Sequence, residues 1–198
     1  MDFSFSDEQT LLQDSISKFL QNDYSFETRQ KVIKEEEGFA ASNWQQFAEL
    51  GWLAMPFAEA DGGFGGAAVE TMIMMEQFGK GLVVEPFLPT IVLTGGALKI
   101  AGSDEQKAAH LPGIIDGSTQ GALAFVEPQG RFNLADLTTT ASKSGSGYQI
   151  NGYKAVVLNG PAADLLVVSA RTSGDQRDEQ ALHRLITAYM RLAISMAS

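Results

Sequence analysis

The chain has 198 residues, with 24 Asp and Glu against 14 Lys and Arg, two histidines and no cysteine. Without thiols there are no disulfides, zinc-finger sites, Fe–S clusters or cysteine nucleophiles. A net charge of −10 argues against a nucleic-acid surface, which needs a basic stripe. With 44% hydrophobic residues, no basic-then-apolar leader and no apolar run of about 18 residues, the expectation is a soluble, cytoplasmic protein with no membrane span.

The first part reads as helices. Ser6-Asp7-Glu8-Gln9 has capping-box spacing, and Leu12, Ile16, Phe19 and Leu20 then share one face. A more polar helix is expected from Glu27 to about Glu37, ended by Gly38, and a short one over Asn43–Leu50, stopped by Gly51. The run AAVETMIMMEQFG from Ala67 to Gly79 is apolar around most of its circumference, which predicts a nearly buried helix. Another apolar helix is expected from Leu88 to Ile100, with Gly95-Gly96 letting a neighbour approach. Ser103 opens a sixth, running towards Leu111.

Composition and periodicity change after Gly117. Residues 1–118 carry 18 acids and 7 bases; residues 119–180 carry 6 and 5. A shift of this kind marks a candidate domain boundary. Short apolar or alternating runs predict strands over Gly121–Val126, Thr138–Ser142, Tyr148–Ile150, Ala155–Leu158 and Leu165–Ser169. Asn151-Gly152 is the strongest hairpin signal between them. From Ala181 onward Leu182, Leu185, Ile186, Tyr189, Leu192 and Ala193 fall at helical spacing. The expected fold class is therefore α+β. A helical domain over 1–117 is followed by a partial antiparallel β domain over 118–180 and a C-terminal helix over 181–198.

Motifs for common chemistries are sparse. His110 and His183 lie in different parts of the chain, and a lone helical histidine is usually structural. No HExxH, GxSxG or P-loop sequence occurs. Glu35-Glu36-Glu37 reads as a solvated run, and no metal site is expected. Asp61-Gly62-Gly63-Phe64-Gly65-Gly66 lacks the Lys and Ser/Thr of a phosphate cradle and reads as a tight connector. The strand entering Glu127-Pro128 is held extended by the proline. Its end is either a place for a planar ligand or a simple turn.

The order of these features resembles the acyl-CoA dehydrogenase family. It is carried by the DGGFGG loop, the MEQFG helix end, QKAAHLPGIIDG leading into AFVEP, and TTTASKSGSGYQINGYKAVVLNG. The resemblance covers residues 1 to about 180. It implies an N-terminal helical domain and a middle β-barrel, here incomplete. It also implies FAD as cofactor and oxidation of an acyl-CoA thioester at its α and β carbons, in fatty-acid or steroid degradation. The family's Thr-Glu-Pro falls on Val126-Glu127-Pro128, and its Trp-Ile-Thr-Asn falls on Val156-Val157-Leu158-Asn159. By resemblance Phe125, Val126, Glu127, Val156 and Leu158 are therefore the cofactor-binding residues, with aliphatic groups replacing an indole and two hydroxyls. These departures are similar to the divergent small subunits of two-subunit enzymes. The family's catalytic Glu belongs to a later region, so no catalytic residue is assigned here, and a truncated chain is expected. The partners implied are an acyl-CoA substrate and acyl-CoA dehydrogenase-type subunits in a homo- or hetero-oligomer.

Overall fold

The computed structural model describes residues 4–177 and 185–189, which fall into two compact units. The first comprises the chain to Pro86 with Ile115–Gly117; the second comprises Phe87–Ile114 and the chain from Ser118.

In the first unit, helix α1 (Asp7–Asn22) starts where the sequence places it. Ser6 Oγ accepts from Gln9 N at 3.2 Å, and Gln9 Oε1 accepts from Ser6 N at 3.0 Å. These bonds satisfy two otherwise orphan donors. Leu12, Ile16 and Phe19 form its buried face. Helix α2 (Phe26–Val32) is capped by Ser25, and α3 is Ala41–Glu49. Helix α4 (Ala68–Gly81) brings Ile73, Met74 and Phe78 against α1 and the buried residues of α3 and the following turn. Phe47 is fully buried at the centre, with Phe19 at 5.4 Å, Trp52 at 5.0 Å and Phe78 stacked at 5.3 Å. Trp44 closes the cluster and donates through Nε1 to the Gly117 carbonyl at 3.1 Å.

The glycine loop is a connector folded onto its own chain. Gly63, Phe64, Gly65 and Gly66 donate their N–H groups to the carbonyls of Ala58, Ala54, Phe57 and Met55. No donor of that set is left for an anion. A Cβ on Gly66 would stand 2.6 Å from the Met55 carbonyl oxygen. Gly66→Ala should therefore cost about 1–3 kcal/mol through overpacking, read as a lower urea midpoint with an unchanged m-value.

In the second unit a π-helical stretch, Leu88–Gly95, runs directly into α5 (Gly96–Ala101), followed by α6 (Asp104–Ile115). Strand β1 (Gly121–Ala124) lies against the π-helical stretch, where Thr90 Oγ1 donates to the Gly121 carbonyl and accepts from Gly121 N, both at 3.2 Å. A Cβ on Gly96 would meet nothing within 4 Å, whereas a close approach occurs at Gly121, whose missing Cβ makes room for Thr94. Strands β2 (Thr140–Ser144) and β3 (Gly147–Asn151) form a hairpin, while β4 (Leu165–Ser169), buried along its whole length, sits between β1 and β5 (Leu185–Tyr189).

Several expectations change. Antiparallel pairing holds for β2–β3 and β4–β5, but β1 and β4 run parallel. The hairpin turn is Gly145-Ser146, with Gly145 at φ 59°. Asn151-Gly152 instead ends β3, where a Cβ on Gly152 would collide with Thr139. The helix expected to reach Glu37 stops at Val32, and Glu35, Glu36 and Glu37 are exposed in the turns before Gly38. Helix α4 buries one face only: Met72 is half exposed and Val69 is open. No strand covers Ala155–Leu158. The C-terminal helix is corrected at residues 185–189, which pair as a strand with β4. The helical spacing yields there because LITAY is rich in β-formers and the buried strand β4 needs both edges paired. The rest of 181–198, His183 included, lies outside the described residues. Among the described residues no helix is long and apolar enough to cross a membrane, and no cluster of metal-ligating side chains occurs.

Candidate functional site: the end of strand β1

Past Ala124 the chain leaves the sheet through Phe125 and Val126, both half-buried, and Glu127, only 3% exposed. A second segment, Lys154–Leu158, runs beside it: Ala155 N donates to the Val126 carbonyl at 2.9 Å. The two stretches that carry Phe125, Val126, Glu127, Val156 and Leu158 are thus joined main chain to main chain.

Glu127 is the hub of this junction. Its Oε2 accepts from Thr138 N at 2.7 Å, Thr138 Oγ1 at 2.5 Å and Gln129 Nε2 at 2.6 Å. Its Oε1 accepts from Thr139 N at 3.1 Å and Lys154 Nζ at 2.7 Å. Burial alone pushes this carboxyl up. Hydrogen bonds from Lys154, Thr138 and Thr139 outweigh it and hold the group far below the ordinary carboxylate range. Lys154 also donates to Ser169 Oγ at 2.9 Å, at the end of β4. Burial pulls the ammonium's pKa down and Glu127 raises it. With a carboxylate at 2.7 Å, the pair is held in its charged form. The Glu127 carboxylate is taken up by protein donors, so any part it has in binding a ligand runs through its backbone and through the rim it braces.

The other expected residues stand in the open. Val156 is 78% exposed and Leu158 47% exposed. Val156 adopts φ 52°, a left-handed conformation that a β-branched residue takes at a cost of about 1–3 kcal/mol. Among the described residues, the N–H groups of Val156, Val157 and Leu158 meet no main-chain acceptor. Aliphatic side chains beside open amides suit a planar, mostly apolar ring with a polar edge. Asp136 fixes the neighbouring loop. Its carboxylate takes Gln176 Nε2 at 2.6 Å and Arg177 Nε at 2.9 Å, and these bonds lower its pKa. His110, buried in α6, has its pKa lowered by that burial.

Lys154, Thr138, Thr139 and Ser169 are the residues that sequence reasoning missed. Nothing in the spacing of these residues from Glu127 marks them as its partners in the sequence.

Comparison with known proteins agrees with this order of parts. The family model "Acyl-CoA dehydrogenase, N-terminal domain" matches residues 6–118, and "Acyl-CoA dehydrogenase, middle domain" matches 122–190. The chain is 31% identical over 169 residues to the mitochondrial isovaleryl-CoA dehydrogenase of Pongo abelii, covering 84% of this chain and 40% of that protein. Among solved structures it is similar to the ChsE4–ChsE5 complex from Mycobacterium tuberculosis, with TM-score 0.76 and 27% identity over 89% of this chain and 46% of that one. It is also similar to the FAD complex of PigA, with TM-score 0.77 and 26% identity over 89% and 46%. The chain spans 40–49% of the length of such curated relatives. With both family models matched in sequence order over most of its residues, the chain belongs to the acyl-CoA dehydrogenase family.

Proposed function

We propose that the chain contributes the N-terminal and middle portions of an FAD-dependent system that oxidises an acyl-CoA thioester between its α and β carbons. The observation that carries this reading is the junction of Val126 and Ala155, with exposed Val156 and Leu158 and the open amides of residues 156–158. A relative of similar fold is described as an FAD complex, which supports the same cofactor here. When bound, FAD supplies the acceptor for a hydride from the acyl β carbon. The residues of this chain then hold it: Phe125, Val126, Val156 and Leu158 offer apolar cover that excludes water, and the amides of 156–158 donate at its polar edge. The domain division at residue 117/118 belongs to this reading, as does a soluble, cytoplasmic setting. The α proton must go to a carboxylate within hydrogen-bond reach, and Glu127, already saturated by five donors, is unsuited to that task.

A second reading is favoured by the replacement of hydroxyl and indole groups by Val126, Val156 and Leu158. In it the chain is a non-catalytic subunit that packs against a full-length acyl-CoA dehydrogenase partner. Similarity to the ChsE4–ChsE5 complex supports a hetero-oligomer of this kind.

The test has two stages. Purification in the presence of FAD should leave a yellow chain. Anaerobic mixing with short, long and polycyclic acyl-CoA thioesters should then leave the flavin band unbleached while this chain is alone. Bleaching by the chain alone would show that it holds its own base. A colourless chain that co-elutes with a full-length family member would favour the second reading.

A further inference from the structure

We propose that Lys154 is a positioning residue, which holds the strained Val156 segment in place to receive the flavin edge. This rests on the cofactor reading above. The ammonium joins three pieces of chain around the junction. It bonds Glu127 after β1 at 2.7 Å and Ser169 at the end of β4 at 2.9 Å, and it sits on the segment that leads into Val156.

Two independent features point the same way. Val156 is in a left-handed conformation, and its side chain, mostly exposed, has little packing to hold it there. A strained residue persists only when its surroundings over-determine it, so the restraint comes from its flanks. On the far side the flank is a turn, with Gly160 N on the Val157 carbonyl and Asn159 Nδ2 on Gln120 Oε1 at 3.2 Å. On the near side it is the Ala155–Val126 bond and the Lys154 ammonium. The second feature is the redundancy of Glu127. Four further donors, from Thr138, Thr139 and Gln129, satisfy the carboxylate without Lys154. The strand end can therefore keep its own bonds when the ammonium goes. What loses its anchor is the segment carrying Val156.

The measurement compares FAD affinity by quenching of flavin fluorescence with amide exchange at Ala155 in the flavin-free chain. Lys154→Met should weaken FAD binding at least tenfold and speed Ala155 exchange by a similar factor. Adding Val156→Gly to that variant should recover most of the Ala155 protection, because glycine takes the left-handed conformation without an anchor, while FAD affinity stays low because the apolar cover of Val156 is gone. If Lys154→Met does not fold, the pair Glu127→Gln/Lys154→Met removes both charges together. Its amide oxygen can take the Oε2 position and keep the donors from Thr138 and Gln129, leaving Thr139 N without its acceptor, and the same loss of FAD binding is expected. Wild-type FAD affinity in either Lys154 variant overturns the proposal, as does fast Ala155 exchange that Val156→Gly leaves unrepaired. Absence of FAD binding by the wild-type chain, with Ala155 exchange still rising in the variant, overturns the cofactor reading and the positioning role with it.

Discussion

Replacing Phe47 by Ala should lower the unfolding free energy by about 3–5 kcal/mol. Phe47 is fully buried and meets four aromatic neighbours, one of them, Phe78, nearly parallel at 5.3 Å. Those neighbours come from α1, α3, α4 and the turn after α3, so a cavity at this point has rigid walls on several sides. Collapse would require moving whole helices. That places the expected cost at the upper end for a large-to-small change. The loss should appear as a lower denaturant midpoint with an unchanged slope. Leu11→Ala is the control: its side chain is 68% exposed on α1, and such substitutions usually stay within about 0.5 kcal/mol. A Phe47→Ala midpoint as close to wild type as that of Leu11→Ala would show that the aromatic cluster is not the anchor of this unit.

The helices were legible because their signals are local. Ser6 and Gln9, and again Ser103 and Gln106, form reciprocal bonds that three-residue spacing alone predicts. Met72 shows the limit of that reading. Its hydrophobicity argues for burial, yet packing covers only the face of Ile73, Met74, Gln77 and Phe78. In the β region the decisive interactions are distant in sequence. Leu185–Tyr189 has helical spacing, but pairing with β4 outweighs a local preference worth a fraction of a kcal/mol per residue. Val156 and Val157 have strong strand propensity, but Lys154 and the Asn159–Gly160 turn hold that segment out of the sheet. The candidate site was legible as two motifs. Its brace, Lys154 on Glu127, was not, because a lysine 27 residues downstream gives no periodic signal.

Removing Glu127 should be among the most damaging single changes in the second unit. Glu127→Ala strips the acceptor from Thr138 N and Thr139 N and leaves the Lys154 ammonium buried with Ser169 as its remaining partner. Breaking one side of a buried ion pair costs about 3–5 kcal/mol, mostly from the charge left behind. The lysine has an escape, since its burial already favours the neutral form, so the loss should shrink as pH rises. The wild-type pair has its own pH signature. Glu127 is depressed in the folded chain, so its contribution is fully present above the unfolded carboxyl's value of 4.5 and fades as pH falls below it. A stability profile from pH 7 to pH 3 should therefore decline below about 4.5 in wild type and less steeply in Glu127→Gln, which carries no titrating carboxyl at this position. The difference between the two curves isolates this one group from the other acids of the chain. If the curves stay parallel through that window, the five donors on Glu127 do not bind its charged form more tightly than water does, and the rim at the end of β1 is held by something other than this pair.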